Sequence, residues 1–471
     1  MYSLAQLHLL GVYLKAKKIP LEKDSIEEKD FPTVTVQLPV YNELYVIERL
    51  IDRVCEFDYP SNKLEIQVLD DSTDETKDII SRSIKVHRSN GVDISHLRRS
   101  DRNGYKAGAL EEATGKAKGD FIAIFDADFL PRKDFLKKTI PHFQDKTIGV
   151  VQTRWDHLNL DYSLLTRVQG FALDAHFSIE QTGRNRSDHF INFNGTAGVW
   201  RKETIVDAGG WQSDSLTEDL DLSYRAQLKG WKFHYLEEIE SPAELPVTMT
   251  AIKSQQFRWT KGAAEVAKKL LMKVLRSNAS IATKYHAFFH LLNSSVYIPI
   301  LLVAMLSVPV LIIKNHQPEI NQAFSYAGFF LFSLAVLGAS YYTSLSRFEG
   351  SSIKSFLRFL YLFPSFLAFS MGLSFHNTIA VIEGYRGKKS AFIRTPKFNV
   401  NSISDTWKGN KYSVKSLSPL LLIEFLLFLY FGIGIFLAFH LKDFGLIHFH
   451  ILLFLGYGSV VFYTIKHARA A

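Results

Sequence analysis

Beyond Lys284 the chain is dominated by long apolar runs, at Phe288–Ile313, Phe324–Leu345, Pro419–Phe439 and Leu446–Ile465. A helix that crosses a bilayer needs about 20 consecutive apolar residues, and each run is near that length. Inside hydrocarbon every backbone N–H and C=O must be paired within the protein, so continuous runs of this kind fold as helices. Up to about Lys284 the sequence instead reads as a charged, soluble α/β protein, so the 471 residues divide into parts built for different solvents. A fifth run, Phe356–Glu383, follows Lys354, contains Arg358 and Pro364, and ends in His376, Asn377 and Glu383. Those interruptions predict an interfacial or re-entrant segment rather than a full span.

The formal net charge is +8. The lysines and arginines are spread out and many flank apolar runs, which marks the cytoplasmic side of a membrane rather than a nucleic-acid surface. No nucleic-acid partner is expected. With the first part cytoplasmic, the first spans go out and back. If Phe356–Glu383 stays at the inner surface, the basic loop Arg386–Lys415 is inside, and the last spans bring Lys466 and Arg469 to the same side. The expectation is an integral protein of a plasma or inner membrane. Met1–Tyr13 is apolar and is followed by Lys15, Lys17 and Lys18. It is too short to span, reads as an interfacial segment or the end of a span begun upstream, and lacks the basic leader and small-residue cleavage site of a signal peptide. The single cysteine, Cys55, excludes an intrachain disulfide framework and a Cys-based zinc cluster, and fits a reducing compartment.

From Phe31 to about Tyr235 short β-rich runs alternate with helical stretches. Val34–Val40, Glu65–Leu69, Phe121–Phe125 and Gly149–Gln152 read as strands, and Glu43–Glu56 and Asp74–Arg88 as helices. Apolar strands between helices imply a mostly parallel, doubly wound sheet, whose site lies at the carboxyl ends of its strands. Polar clusters fall at those ends: Tyr41-Asn42-Glu43, Asp70-Asp71-Ser72-Thr73-Asp74 and Asp126-Ala127-Asp128. The expected segments are 1–30 as the short apolar start, 31–250 as the catalytic domain, 251–284 as an amphipathic interface helix and 285–471 as the membrane region.

Asp126 and Asp128, two apart at the end of a buried strand, can converge on one hard cation, Mg²⁺ or Mn²⁺, which keeps places for water and phosphate and neutralises a leaving diphosphate. Asp70 and Asp71 end another strand and suit nucleotide contact, whereas Asp74 reads equally well as part of a helix start. Lys106, within the Gly-punctuated turn Asp101–Ala109, stands near a helix N-terminus and suits a diphosphate. Thr217-Glu218-Asp219 opens another helix, with Thr217 able to cap it and Asp219 able to take a proton from an acceptor hydroxyl. Gln255, Arg258 and Trp259 share one helix face; Arg offers a diphosphate-binding fork and Trp a flat surface for a sugar ring. Asn194-Gly195-Thr196 is a small-residue loop that could let an acceptor approach the backbone.

With these motifs, and with Val151-Gln152-Thr153-Arg154-Trp155 and Phe193–Trp200, the chain resembles the processive, inverting glycosyltransferases of the cellulose-synthase superfamily. It looks closest to the cellulose-synthase-like A and C branches, which make mannan, glucomannan and glucan backbones. The resemblance covers Phe31 to Ala264, and the membrane part in arrangement. It implies an α/β GT-A glycosyltransferase domain followed by an α-helical transmembrane domain, using UDP-glucose first and GDP-mannose second as donor, with a β-glycan acceptor. It implies nucleotide-sugar contacts from Tyr41, Glu43, Asp70, Asp71, Lys106, Asp126, Gln255 and Arg258. The metal would rest on Asp126 and Asp128, catalysis on Asp219 with Glu218 beside it, and acceptor contacts on Trp259, Asn194, Gly195 and Thr196. Phe392-Ile393-Arg394-Thr395-Pro396-Lys397 is similar to the family's gating loop, in which Phe392, Thr395 and Lys397 match and Arg394 stands where a Val is usual. No appended cyclic-dinucleotide-binding domain is expected after the last span. Two other readings share part of this pattern. One is a single-transfer glycosyltransferase with a lipid acceptor, like ceramide glucosyltransferases. The other is a transporter with a degenerate domain.

Overall fold

The computed structural model describes residues 1–16, 27–317, 319, 328–415 and 417–471. Lys17, Lys18 and the first residues of the expected Phe324–Leu345 span lie outside them.

Seven strands form one sheet: β1 Val34–Val40, β2 Leu64–Asp70, β3 Ile94–Arg98, β4 Phe121–Ile124, β5 Ile148–His157, β6 Gly198–Arg201 and β7 Lys232–Ala243, in the order β3-β2-β1-β4-β6-β5-β7. Every pairing is parallel except those of β6, which runs antiparallel to β4 and β5. The near-continuous apolar strands follow from burial on both faces. Val36, Leu38, Ile66, Val68, Phe125 and Val151 pack on one side with the helix Ile47–Cys55. Leu69, Ile122, Ile124, Val150 and Trp200 pack on the other with Leu110 and Leu222.

The reversed strand places the site. Ile124 of β4 pairs with Gly198 of β6, so the segment leading into β6, Asn194–Ala197, arrives at the edge where β4 delivers Asp126. Gln152 of β5 also pairs with Gly198, which brings Trp155 to that edge. A β6 parallel to its neighbours would have left Asn194–Ala197 at the other end.

The helix Met249–Arg276 docks under this edge. Gly262 permits the approach: a Cβ there would lie 2.6 Å from Thr217 Cγ2, in the turn before the helix Glu218–Leu228. On its other side Gly384 of the helix Ser374–Arg386 lies so close that a Cβ would meet the Lys261 carbonyl oxygen at 2.7 Å.

Four helices among the described residues are long and apolar enough to cross a membrane: Asn293–His316, Ile353–Gly372, Leu420–His440 and Ile447–Ala470. The expected interfacial run Phe356–Glu383 is two helices, Ile353–Gly372 and Ser374–Arg386, broken at Leu373. By length and composition its first helix could span, whereas the sequence reads as interfacial or re-entrant there. Its surroundings differ from those of a free span. Phe359 and Phe366 contact Phe171 of the catalytic domain, and Arg358 pairs with Asp161. At the other end Glu383 pairs with Lys261. The stripe Ile353, Phe356, Leu357, Leu360 and Tyr361 stays exposed, which is the spacing of a helix lying with one face in lipid. The helix also packs on the last one through Gly372 and Gly456, small residues that let the two backbones touch.

Residues Tyr2–Ala16 form one helix, with Ala5, Gln6, Leu9, Leu10 and Tyr13 buried. Gln6 donates to Glu180 and Tyr13 to Glu237, so this segment is tied to the catalytic domain.

Candidate active site

One cleft at the carboxyl edge of the sheet is lined by Tyr41, Glu43, Asp71, Lys106, Asp126, Asp128, Asn194, Gly195, Glu218, Asp219, Gln255, Arg258, Trp259, Phe392, Thr395 and Lys397. Two residues of the expected set, Asp70 and Thr196, are absent from its walls.

Asp70 is 1% exposed. Its Oδ1 accepts from the Ser72 N–H at 2.8 Å and its Oδ2 from His96 at 2.8 Å. Burial opposes the charge, yet these bonds hold the Asp70 carboxyl below its ordinary range. Of the two carboxylates only Asp71 faces the cleft, where Arg99 grips it at 3.0 and 2.5 Å. Asp70 fixes the strand end that carries it. Thr196 is likewise buried, and its hydroxyl accepts from the Asp126 N–H at 2.9 Å. That hydroxyl is thus turned toward the Asp126 backbone and away from the cleft.

Asp126 and Asp128 each hold an ammonium group. Lys106 Nζ donates to Asp126 Oδ1 at 2.5 Å and to the Gly195 carbonyl at 2.9 Å. Lys397 Nζ donates to Asp128 Oδ2 at 2.6 Å and to the Glu244 carbonyl. Two carboxylates that already attract cationic groups, with oxygen the only ligand type, fit a hard divalent cation. Lys106 does stand in the first turn of its helix, Tyr105–Lys116, but its charge is directed at Asp126.

Asp219 opens the helix Glu218–Leu228, and its Oδ1 accepts from the Leu220 N–H at 2.9 Å. Thr217 precedes it without a capping bond from its side chain. Burial, then the neighbouring Glu218, push the Asp219 carboxyl up to about 7, against the lowering effect of Lys106. Burial raises Glu218 as well, with Lys106 4.0 Å from its Oε1. A carboxyl held near neutrality in a cleft is matched to general-base work. Gly195 lies against it with φ +81°, and a Cβ there would stand 2.9 Å from Asp219 Oδ2.

The segment around Phe392–Lys397 folds into the same cleft. Arg258 lies 4.5 Å over the Phe392 ring and donates to Thr395 Oγ1 at 3.4 Å. Phe392 stacks on Tyr105 at 6.1 Å. Arg394, the residue out of pattern, pairs with Glu43 at 2.5 Å. Burial pushes the Glu43 carboxyl up to about 7, with Arg394 opposing. With this segment in place the cleft holds about 170 Å³, below the ~300–1,000 Å³ usual for a ligand pocket. Trp259 lies 6.4 Å from Trp155, and the two rings make an aromatic wall.

Sequence reasoning missed several contributors. Arg102 caps the Tyr41 ring at 3.3 Å and was legible within the Asp101–Ala109 turn. Glu244 accepts from the Phe398 and Asn399 N–H groups, each at 2.9 Å, and so anchors the segment after Lys397. Its partners lie 154 and 155 residues away, and no local pattern marks it.

Residues 32–262 match the family described as glycosyltransferase like family 2. A probable glucomannan 4-beta-mannosyltransferase of Oryza sativa subsp. japonica is 44% identical over 269 residues, 56% of this chain and 49% of that protein. A glucomannan 4-beta-mannosyltransferase of Arabidopsis thaliana is 42% identical over 275 residues, 57% of this chain and 52% of that protein. The chain spans about half the length of the curated relatives it matches. Among solved structures, a mannosyltransferase from Pyrobaculum calidifontis, in complex with GDP-Man and Mn²⁺, superposes with a TM-score of 0.50 at 19% identity, covering 83% of this chain and 100% of that one. At that identity the likeness speaks for the shared fold alone. Sheet, cleft and relatives agree: residues 32–262 form a glycosyltransferase-family-2 domain with the GT-A fold, and its similarity to glucomannan mannosyltransferases fits the cellulose-synthase superfamily.

Proposed function

We propose that this chain transfers mannose from GDP-mannose to the growing end of a β-linked mannan or glucomannan and passes the product through its membrane helices. One observation carries the reading: a buried carboxyl held near neutrality, Asp219, shares a single cleft with the Asp126–Asp128 pair, Arg258 and Trp259. The sequence does not fix the sugar and favours UDP-glucose only slightly. The activity named for the relatives, at 44% and 42% identity over the catalytic half, turns the choice to GDP-mannose.

The chemistry follows from the placement. The acceptor hydroxyl attacks the anomeric carbon on the face opposite the diphosphate. The new C–O bond forms as the bond to the diphosphate breaks, the electron pair leaves with the diphosphate, and the hydroxyl proton passes to Asp219. In-line displacement inverts the α-linked donor to a β-link. Arg258 holds the diphosphate and Trp259 stacks the acceptor sugar. A divalent ion, Mn²⁺ or Mg²⁺, would be held by Asp126 and Asp128 and would neutralise the leaving group. The segment Phe392–Lys397 withdraws to admit the donor, because its groups lie on Arg258 and Asp128.

The contacts also support a sidedness. The loop carrying Lys397 touches the catalytic domain, and His467 near the chain's end accepts from the Met249 N–H at 3.0 Å. Lys314, at the end of the first span, pairs at 2.8 Å with Asp443, between the last two. These contacts support a topology with the loop and residue 467 on the catalytic side and Lys314 on the far side. The pair Ile353–Gly372 and Ser374–Arg386, touching the catalytic domain at one end and the helix Met249–Arg276 at the other, then lies along the cytoplasmic face.

The test is product analysis. Purified full chain is given labelled GDP-mannose or UDP-glucose with Mn²⁺. Polymer from GDP-mannose that a β-mannanase digests supports the proposal. Polymer from UDP-glucose alone, or label confined to a one-sugar lipid, overturns it.

A further inference from the structure

Away from the cleft, three histidines from three separate segments meet. His8 lies on the N-terminal helix Tyr2–Ala16, His189 follows the helical turn Thr182–Asn185 of the catalytic domain, and His286 lies on the helix Ile281–Leu291 that leads into the first span. Each offers a ring nitrogen, and these atoms lie within 4.8 Å of one another. None of the three lines the catalytic cleft.

The arrangement has the marks of a ligand set. His286 Nε2 is 3.0 Å from His8 Nδ1. His189 is 8% exposed; its Nδ1 is 3.1 Å from Thr283 Oγ1, while its Nε2 is buried without a hydrogen-bond partner. A buried ring nitrogen without a partner is costly unless something binds it. Thr283 fixes the other nitrogen, as the outer partner of a metal-bound imidazole does. Arg184, whose charge opposes a cation at the site, is paired with Glu180 at 3.1 Å, and Asp188 adjoins the site. His8 is exposed, which leaves a path of entry and room for water as a further ligand.

We propose that His8, His189 and His286 bind one transition-metal ion, Zn²⁺ above all, as a structural clip that fastens the N-terminal helix to the catalytic domain and to the helix entering the first span. Three imidazoles suit Zn²⁺, whereas Mg²⁺ and Mn²⁺ prefer oxygen, so this ion is distinct from the one that Asp126 and Asp128 would hold. At Zn–N distances of about 2.0–2.1 Å, tetrahedral ligand nitrogens stand about 3.4 Å apart. The 3.0 Å between His286 Nε2 and His8 Nδ1 is already close to that spacing.

The test uses untagged full chain in detergent, stripped with chelator and kept in excess Mg²⁺. Co²⁺ is titrated and the visible absorption of a tetrahedral Co²⁺–imidazole site is followed, then Zn²⁺ is added. The proposal expects about one equivalent of Co²⁺ bound, displacement by Zn²⁺ and a rise in melting temperature with Zn²⁺. His8→Ala, at an exposed position, should weaken binding at least as much as the ~10–100-fold that losing an outer hydrogen-bond partner costs. His286→Ala should do the same, and Asp126→Asn should leave it unchanged. Absence of the tetrahedral spectrum, or equal Co²⁺ binding by wild type and His8→Ala, would overturn the proposal.

Discussion

Replacing Gly195 by alanine separates two effects that the site combines. The backbone there has φ +81°, where an L-residue costs about 1–2 kcal/mol. The added Cβ would also stand 2.9 Å from Asp219 Oδ2 and 3.6 Å from Lys106 Nζ. A carbon and a carboxylate oxygen do not rest at 2.9 Å, so Asp219 must retreat by a few tenths of an ångström. Misplacement of a reacting group by 1 Å costs about 100-fold, so a shift of about half that predicts a loss on the order of 10-fold in kcat. KM for the donor should change little, because Gly195 abuts the base and not the Asp71 side of the cleft. The control is Gly91→Ala. Gly91 has φ +84°, and nothing lies within 4 Å of its added Cβ. It carries the same backbone cost without the contact, so it should lower stability similarly and leave kcat within about 2-fold. Initial rates of nucleotide release and thermal melts on both variants supply the comparison. Equal kcat for Gly195→Ala and Gly91→Ala would refute the claim that Gly195 is a glycine for the sake of Asp219.

Further consequences concern protonation, the loop and the membrane junction. Because the Asp219 carboxyl is raised to about 7 and the base must be ionised, kcat should rise with pH through about 7 and fall roughly tenfold per unit well below it; a flat profile between pH 5 and 8 would contradict this role. Removing the ammonium from Asp128 by Lys397→Ala should tighten Mn²⁺ binding to the nucleotide-free chain on the order of 10-fold, the change that ~1.4 kcal/mol produces; unchanged Mn²⁺ affinity by electron paramagnetic resonance would count against the loop as competitor. Lys253 of the interface helix pairs with the fully buried Glu424 of a membrane helix at 2.6 Å. Glu424→Ala strands that lysine and should destabilise the chain by ~3–5 kcal/mol in denaturant unfolding, with recovery in Lys253→Met/Glu424→Leu; an equally unstable double variant would show that the pair is not the cause.

What the sequence discloses here follows from periodicity. The apolar strand cores and the acidic residues just beyond them were legible because a sheet covered on both faces leaves continuous apolar runs that stop where polar chemistry begins. β6 was not legible, since Gly198–Arg201 is four residues behind a loop-like stretch and its direction is fixed by pairing on both sides. Asp70 and Asp71 are chemically identical in sequence. Alternation along β2 turns the first onto His96 and the second toward the cleft, which register decides and composition does not. Thr196 reads as loop because its partner, the Asp126 N–H, lies 70 residues earlier. The docking of Lys397 on Asp128 spans 269 residues, and the meeting of His8 with His286 spans 278. Contacts of that separation leave no trace in local pattern.

The most direct measurement is label transfer from GDP-mannose by wild type and by Asp219→Asn, side by side, with Mn²⁺ present. An amide fills the same space but cannot take the acceptor proton. Wild type should build β-linked, mannanase-sensitive product, and the variant should still bind GDP but lose transfer by at least ~100-fold, the lower end of what a general base contributes. Transfer by Asp219→Asn at a rate close to wild type would contradict the assignment of the base, and with it the central reading of the cleft.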